Sequence, residues 1–160
     1  MTIYHEEISS RKTEWLFVSL TILFFLLFVW RMNVSGWNGL TVVILVFACF
    51  FLFYSINYRT LIISITLDAL KLSFGIFTWT VPIHNIESCS LDEIPAFMKY
   101  GGAGIHFMLI GKRYRASFNF LEYPRVVIAF KNKVGPVRDI SFSTSRPDDV
   151  LRFLQEEISA

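Results

Sequence analysis

A membrane α-helical hairpin followed by a mainly-β domain is the architecture this sequence predicts, on three observations. The 160 residues are 54% hydrophobic and 17% aromatic but only 18% charged, whereas ordinary soluble domains are roughly 45–50% apolar and about 25% charged. The excess is concentrated in two uncharged runs near the amino terminus, and the mean hydropathy of the chain is +0.50. Beyond Arg59 the apolar pattern switches to a period of two, then to steps of three and four at the carboxy-terminal end.

The first uncharged run has sixteen residues, Trp15 to Trp30 (WLFVSLTILFFLLFVW), and the second has twenty-seven between Arg31 and Arg59, with its apolar heart at Leu40 to Tyr54. A helix rises about 1.5 Å per residue, so crossing roughly 30 Å of hydrocarbon takes about 20 residues. The first run is slightly short unless its ends lie at the interface, where Trp15, Trp30 and Trp37, with Tyr54 and Tyr58 at the far end, supply the usual aromatic rings. Between the runs, RMNVSGWNG carries Gly36 and Gly39 and predicts a turn between antiparallel helices. Two buried helices of a soluble bundle would show a polar stripe at a period near 3.6; neither run has one, since Ser19, Thr21 and Thr41 are isolated. A cleaved signal peptide does not fit an amino-terminal flank containing Glu6, Glu7 and Glu14 and no small-residue cleavage site. The expected division is therefore a cytoplasmic tail over 1–14, a two-helix transmembrane hairpin over 15–58 and a β domain over 60–160. Arg11 and Lys12 ahead of the hairpin and Arg59 and Lys71 behind it, against Arg31 alone in the loop, place both termini in the cytoplasm of a multi-pass cell-membrane protein. Two cysteines make neither a disulfide framework nor a zinc site, and unpaired Cys89 suits a reducing compartment.

About seven short strands are expected beyond the hairpin. Leu61, Ile63, Ile65 and Leu67 alternate with smaller or polar residues, Asp68-Ala69 turns the chain, and Leu70, Leu72 and Phe74 alternate back until Gly75. Phe77, Trp79, Val81 and Ile83 form a third strand that Pro82 places at an edge or an end. After a loop around Pro95 come stretches over Ile105 to Leu109, Tyr114 to Phe118, Val126 to Phe130 and Ile140 to Phe142. Ser145-Arg-Pro147-Asp148-Asp149 then supplies a capping hydroxyl, a first-turn proline and acids at the positive end of a helix dipole. Val150, Leu151, Leu154 and Ile158 recur at helical spacing, predicting one amphipathic helix that closes the core of its own domain; a membrane-surface helix would favour cations on the polar face, where this one carries acids.

This order resembles the pleckstrin-homology (PH) fold, a bent sandwich or barrel of about seven antiparallel strands capped by a C-terminal helix. In VPIHNI (Val81 to Ile86), YGGAGI (Tyr100 to Ile105) and STSRPDDVLRFL (Ser143 to Leu154), the chain is similar to bacterial and archaeal PH-like membrane proteins of unknown function, in which two transmembrane helices precede one such domain. The resemblance implies fold and topology and no activity.

Little in the sequence carries chemistry. Gly101, Gly102 and Gly104 precede a strand, whereas a phosphate cradle opens onto a helix amino terminus, so they are expected to be a structural turn. The three histidines, His5, His84 and His106, lack metal-ligand spacing. Asp92-Glu93 and Asp148-Asp149 are sequence neighbours that rarely converge on one substrate, and Cys89 has no base beside it. No catalytic residue, cofactor or metal is expected, and a net charge of +2 does not argue for nucleic acid. No ionisable residue interrupts either apolar run, which excludes a monomeric conduit. The one chemical cluster is Lys112-Arg113-Tyr114-Arg115, with Arg125 expected on a neighbouring strand. Such cations gain about 1 kcal/mol each beside an anionic leaflet, although the hairpin tip around which phosphoinositide-binding PH domains place their cations is here Asp68-Ala69. The expected function is a non-catalytic, membrane-anchored interaction module, an accessory or scaffolding subunit that meets a membrane protein partner or a second copy of itself. The alternative is a peripheral sensor of anionic lipid headgroups using Lys112, Arg113, Arg115 and Arg125.

Overall fold

The computed structural model describes residues 2–92, 104–110, 113–120 and 122–159. Capping sets the lengths of the two apolar helices. The Ser10 hydroxyl accepts the Thr13 N–H at 3.1 Å, which starts α1 (Arg11–Ser35) one polar turn ahead of the uncharged run, and Gly36 at φ +63° ends it. The Asn38 side chain accepts the Thr41 N–H at 3.1 Å and starts α2 (Gly39–Asn57). At about 1.5 Å per residue the helices reach about 37 and 28 Å, so the first run's shortness is made up by its flanks. Both are long and apolar enough to cross a membrane. They pack on each other through Phe24, whose ring lies 5.3 Å from those of Phe47 and Phe51, yet only 6% and 11% of their apolar windows are buried inside the protein.

The first departure from expectation lies ahead of α1. Residues 1–14, read as a tail, contain β1 (Thr2–Ser9), which pairs antiparallel with β2 (Thr60–Thr66), Ser9 lying opposite Thr60. The helical hairpin is thus an insertion between two neighbouring strands of one sheet. Tyr4, Glu6 and Ile8 face inward while His5 and Glu7 face out, a period-two pattern in which a buried carboxylate takes an apolar residue's place.

β2 turns at Leu67-Asp68 into β3 (Ala69–Phe74), and β3 turns at Gly75-Ile76 into β4 (Phe77–Pro82), giving a four-stranded sheet in the order β1-β2-β3-β4. Pro82, which cannot donate to a ladder, falls both on the edge strand and at its end. One 3-10 turn, Ile83–Asn85, leads into β5 (Ile86–Leu91). The second sheet adds β6 (Gly104–Ile110), β7 (Arg113–Asn119), β8 (Arg125–Val134) and β9 (Val137–Ser143) in the order β5-β8-β9-β7-β6. The described residues therefore form nine strands in two sheets rather than about seven. β1 and β5 are the additions, and β7 pairs with β9 in parallel, so the domain is not wholly antiparallel. β5 escapes the alternation rule because its sequence, IESCSL, has few apolar residues and its pairing with β8 carries a bulge.

One core lies between the sheets. Leu61, Ile63, Ile65, Leu70, Leu72, Phe74 and Val81 from the first, and Ala116, Phe118, Val126, Ile128, Ile140 and Phe142 from the second, are buried together with Phe120 just beyond β7. Phe74 bridges the layers, its ring 5.1 Å from that of Phe120 and 6.2 Å from that of Phe118. The carboxy-terminal helix α3 (Pro147–Ser159) forms as expected and adds Val150 and Leu154 to this core. It packs on β1, β5, β8 and the 3-10 turn, covering that side of the sandwich.

Candidate functional site

The hairpin is joined to the β domain without a slack linker. Phe17 of α1 packs against Tyr54 and Tyr58 at the end of α2, with ring centroids at 5.2 and 6.5 Å, and Tyr58 packs on Phe74 of β3 at 5.2 Å. The Arg59 guanidinium pairs with the Glu14 carboxylate, and the Tyr123 hydroxyl donates to the Ser9 carbonyl at 2.9 Å. Gly75, at φ +53°, turns so close to the end of α2 that a Cβ there would lie 2.6 Å from the Asn57 carbonyl oxygen. Tyr58, expected as an interfacial ring, is instead 4% exposed and part of the domain core. Trp15, Trp30 and Trp37 do point outward, at 59–69% exposure.

Beside this junction the sandwich is open. β4 and β6 are edge strands of different sheets, and between them lies a cleft of about 440 Å³ lined by Tyr54, Tyr58, Phe77, Trp79, Ile105 and Phe107, with Thr78 and Phe118. Phe77 and Phe107 remain 40% and 52% exposed. Gly104 opens β6 at φ +84°, and its bare Cα lets the strand approach Tyr58, whose Cγ would lie 3.4 Å from an added Cβ. The first residue of β6 thus adopts a left-handed conformation that favours glycine. Gly101 and Gly102 lie outside the described residues.

The basic cluster is not gathered on one exposed surface. Lys112 lies outside the described residues, and Arg113 is half-exposed, 3.9 Å from Asp139. Arg115 is buried, its guanidinium 3.2 Å from both Asp92 and Asp139. Arg125 is buried as well, and that burial pulls its pKa down while Asp92 partly restores it. The cause is the sheet's pleat. Arg115, Ser117 and Asn119 on β7, Asp139, Ser141 and Ser143 on β9, and Arg125 on β8 share the face opposite the apolar core, and all of them are buried. The Ser117 and Ser141 hydroxyls meet at 2.8 Å, whereas neither polar atom of the Asn119 amide finds a hydrogen-bond partner among the described residues. On β6, opposite Ser117, His106 is held below its usual pKa by burial first and by Arg125 second.

Elsewhere, no three His, Cys, Asp or Glu side chains converge on a metal position among the described residues. His84 is exposed on the 3-10 turn, away from half-buried His106 on β6. Burial pushes the Cys89 thiol upward, away from the nucleophilic thiolate, and the thiol faces the Leu151 carbonyl at 3.9 Å.

The residue that sequence reading passed over is Glu6. Its carboxylate accepts from the Tyr4 hydroxyl at 2.7 Å, the Thr144 hydroxyl, and both the backbone N–H (2.8 Å) and the hydroxyl of Ser145. Ser145, expected to cap α3 with its hydroxyl, therefore turns it to Glu6, and β1 is clasped to the start of the terminal helix. Burial pushes the Glu6 carboxyl up, but these donors outweigh it and the pKa falls below its ordinary value. Burial, and then the adjacent Glu6, raise the Tyr4 phenol to about 12. The available signal was the alternation of Tyr4, Glu6 and Ile8, read instead as a charged flank. Compared with protein-family models, curated proteins and solved structures, the chain matches none.

Proposed function

We propose that this chain is a non-catalytic interaction module anchored in a membrane by α1 and α2, serving as an accessory or scaffolding subunit that docks a membrane protein partner or a second copy of itself. The observation that carries the reading is the uncovered apolar surface of the hairpin: side chains such as Leu26, Trp30, Val46 and Ile56 are 59–65% exposed. In water that surface would far exceed the patch an ordinary monomer tolerates, and in hydrocarbon it is at rest. Joining the hairpin through β1 and β2 then fixes the orientation of the β domain against the bilayer, which suits a docking platform better than a free tether. We read the domain as a PH-like variant, on its two sheets and terminal helix, and place both termini in the cytoplasm on the Lys/Arg bias. The headgroup-sensor alternative is less well supported, because Arg115 is neutralised by two carboxylates and Arg125 is buried.

Native mass measurement of the full chain, extracted from its own membranes in mild detergent and moved into nanodiscs, tests this reading. The expected result is a stoichiometric membrane partner or a defined homo-oligomer. A bare monomer overturns the subunit role, and a chain that stays in the supernatant when membranes are sedimented overturns the anchor.

A further inference from the structure

We infer that the cleft between β4 and β6 is a binding site for one acyl chain of a bilayer lipid, an inference that rests on the membrane anchoring proposed above. The cleft is continuous with the surface α2 presents to its surroundings. Tyr54 belongs to both, and the Phe53 ring of α2 stands edge-on to Phe77 of the cleft wall, 6.1 Å between centroids. A chain leaving the lipid around α2 reaches the cleft along apolar side chains, without crossing water. Trp79 lies two residues beyond Phe77 on the same face of β4, so a chain that enters past the Phe53–Phe77 contact and follows the cleft meets its ring.

The cleft also selects by shape and chemistry. Its volume, about 440 Å³, lies within the roughly 300–1,000 Å³ of small-molecule sites. Among the described residues none of its lining side chains is charged, and Thr78 is the one aliphatic polar side chain. A hydrocarbon chain needs no hydrogen-bond partner there. An extended peptide would need donors and acceptors from the two strand edges, and it is the competing occupant.

Trp79 reports on the site directly. The chain has four tryptophans, so the Trp15→Phe, Trp30→Phe, Trp37→Phe variant leaves Trp79 as the sole emitter. In nanodiscs of phosphatidylcholine brominated in the distal half of its chains, Trp79 emission is expected to be largely quenched, at least as strongly as by bromines near the headgroup. That depth order is the reverse of what a residue merely resting on the bilayer gives. Phe107→Asp, at a half-exposed wall position, is expected to abolish the quenching; should that variant fail to fold, Ile105→Phe, which fills the slot with a ring, has to abolish it instead. Unquenched Trp79 beside a quenched Trp30-only control overturns the inference and leaves the anchor standing. Trp79 shielded by a co-purifying polypeptide also overturns it. If neither tryptophan is quenched, the membrane reading falls together with the site.

Discussion

The two sides of the sandwich meet one physical problem in opposite ways. Two sheets facing each other leave apolar residues at their open edges. On the β1–β5 side the chain supplies its own cover: α3 seats Val150 and Leu154 in the core, and Glu6 ties β1 to the helix start through Tyr4, Thr144 and Ser145. On the β4–β6 side only the end of α2 reaches the gap among the described residues, through Tyr54 and Tyr58, and Phe77 and Phe107 stay half-exposed around a cleft. The same burial physics acts on both sides, so the contrast locates where the fold is finished from within and where it is open to a molecule from outside.

Substitutions on the covered side should therefore cost most. Leu154→Ala removes a fully buried side chain from under the helix and is expected to lower stability by about 3–4 kcal/mol, read from denaturant unfolding of the full chain in detergent. A loss no greater than that of an exposed position would show that α3 does not close the core.

The clasp comes next. Glu6→Gln keeps the shape of the side chain but removes the charge that four donors address, with an expected loss of about 2–3 kcal/mol. The pH dependence has a definite sign. The Glu6 carboxyl titrates lower in the folded state than an ordinary glutamate, so its contribution is fully present above the ordinary value and disappears as the pH falls through the lower, folded one. An acid-unfolding curve should lose part of its slope in Glu6→Gln. Superimposable acid limbs for the two proteins would remove Glu6 from the account.

On the open side the effect is smaller and comes from the backbone. Gly104→Ala places a Cβ at φ +84° against the Tyr58 ring and is expected to cost about 1–2 kcal/mol, measured in the same unfolding series. An unchanged midpoint would mean that the strand entering the cleft is not held where it is described.

How far the sequence could be read follows from the same physics. α1, α2 and α3 were legible because their patterns are local: uncharged length for the first two, three- and four-residue steps behind Pro147 for the third. Seven strands were legible by alternation. β5 was not, since its side chains are mostly exposed and polar, nor was β1, whose partner lies some fifty residues away across the hairpin. The cation cluster was legible as composition and misleading as geometry, because alternation assigns Arg115 to a face without saying whether that face is wet.

The sequence by itself determined that this chain has two hydrocarbon-length helices ahead of a β-rich segment with a terminal helix, because period and length are properties of neighbouring residues. Only the tertiary structure decided that the helices are inserted between paired strands, that Glu6 belongs to the core, and that Arg115 is neutralised by Asp92 and Asp139. It likewise decided that one edge of the sandwich stays open as an aromatic cleft. Each of these depends on which distant groups meet, and that is set by strand pairing and by the requirement that buried charges find partners.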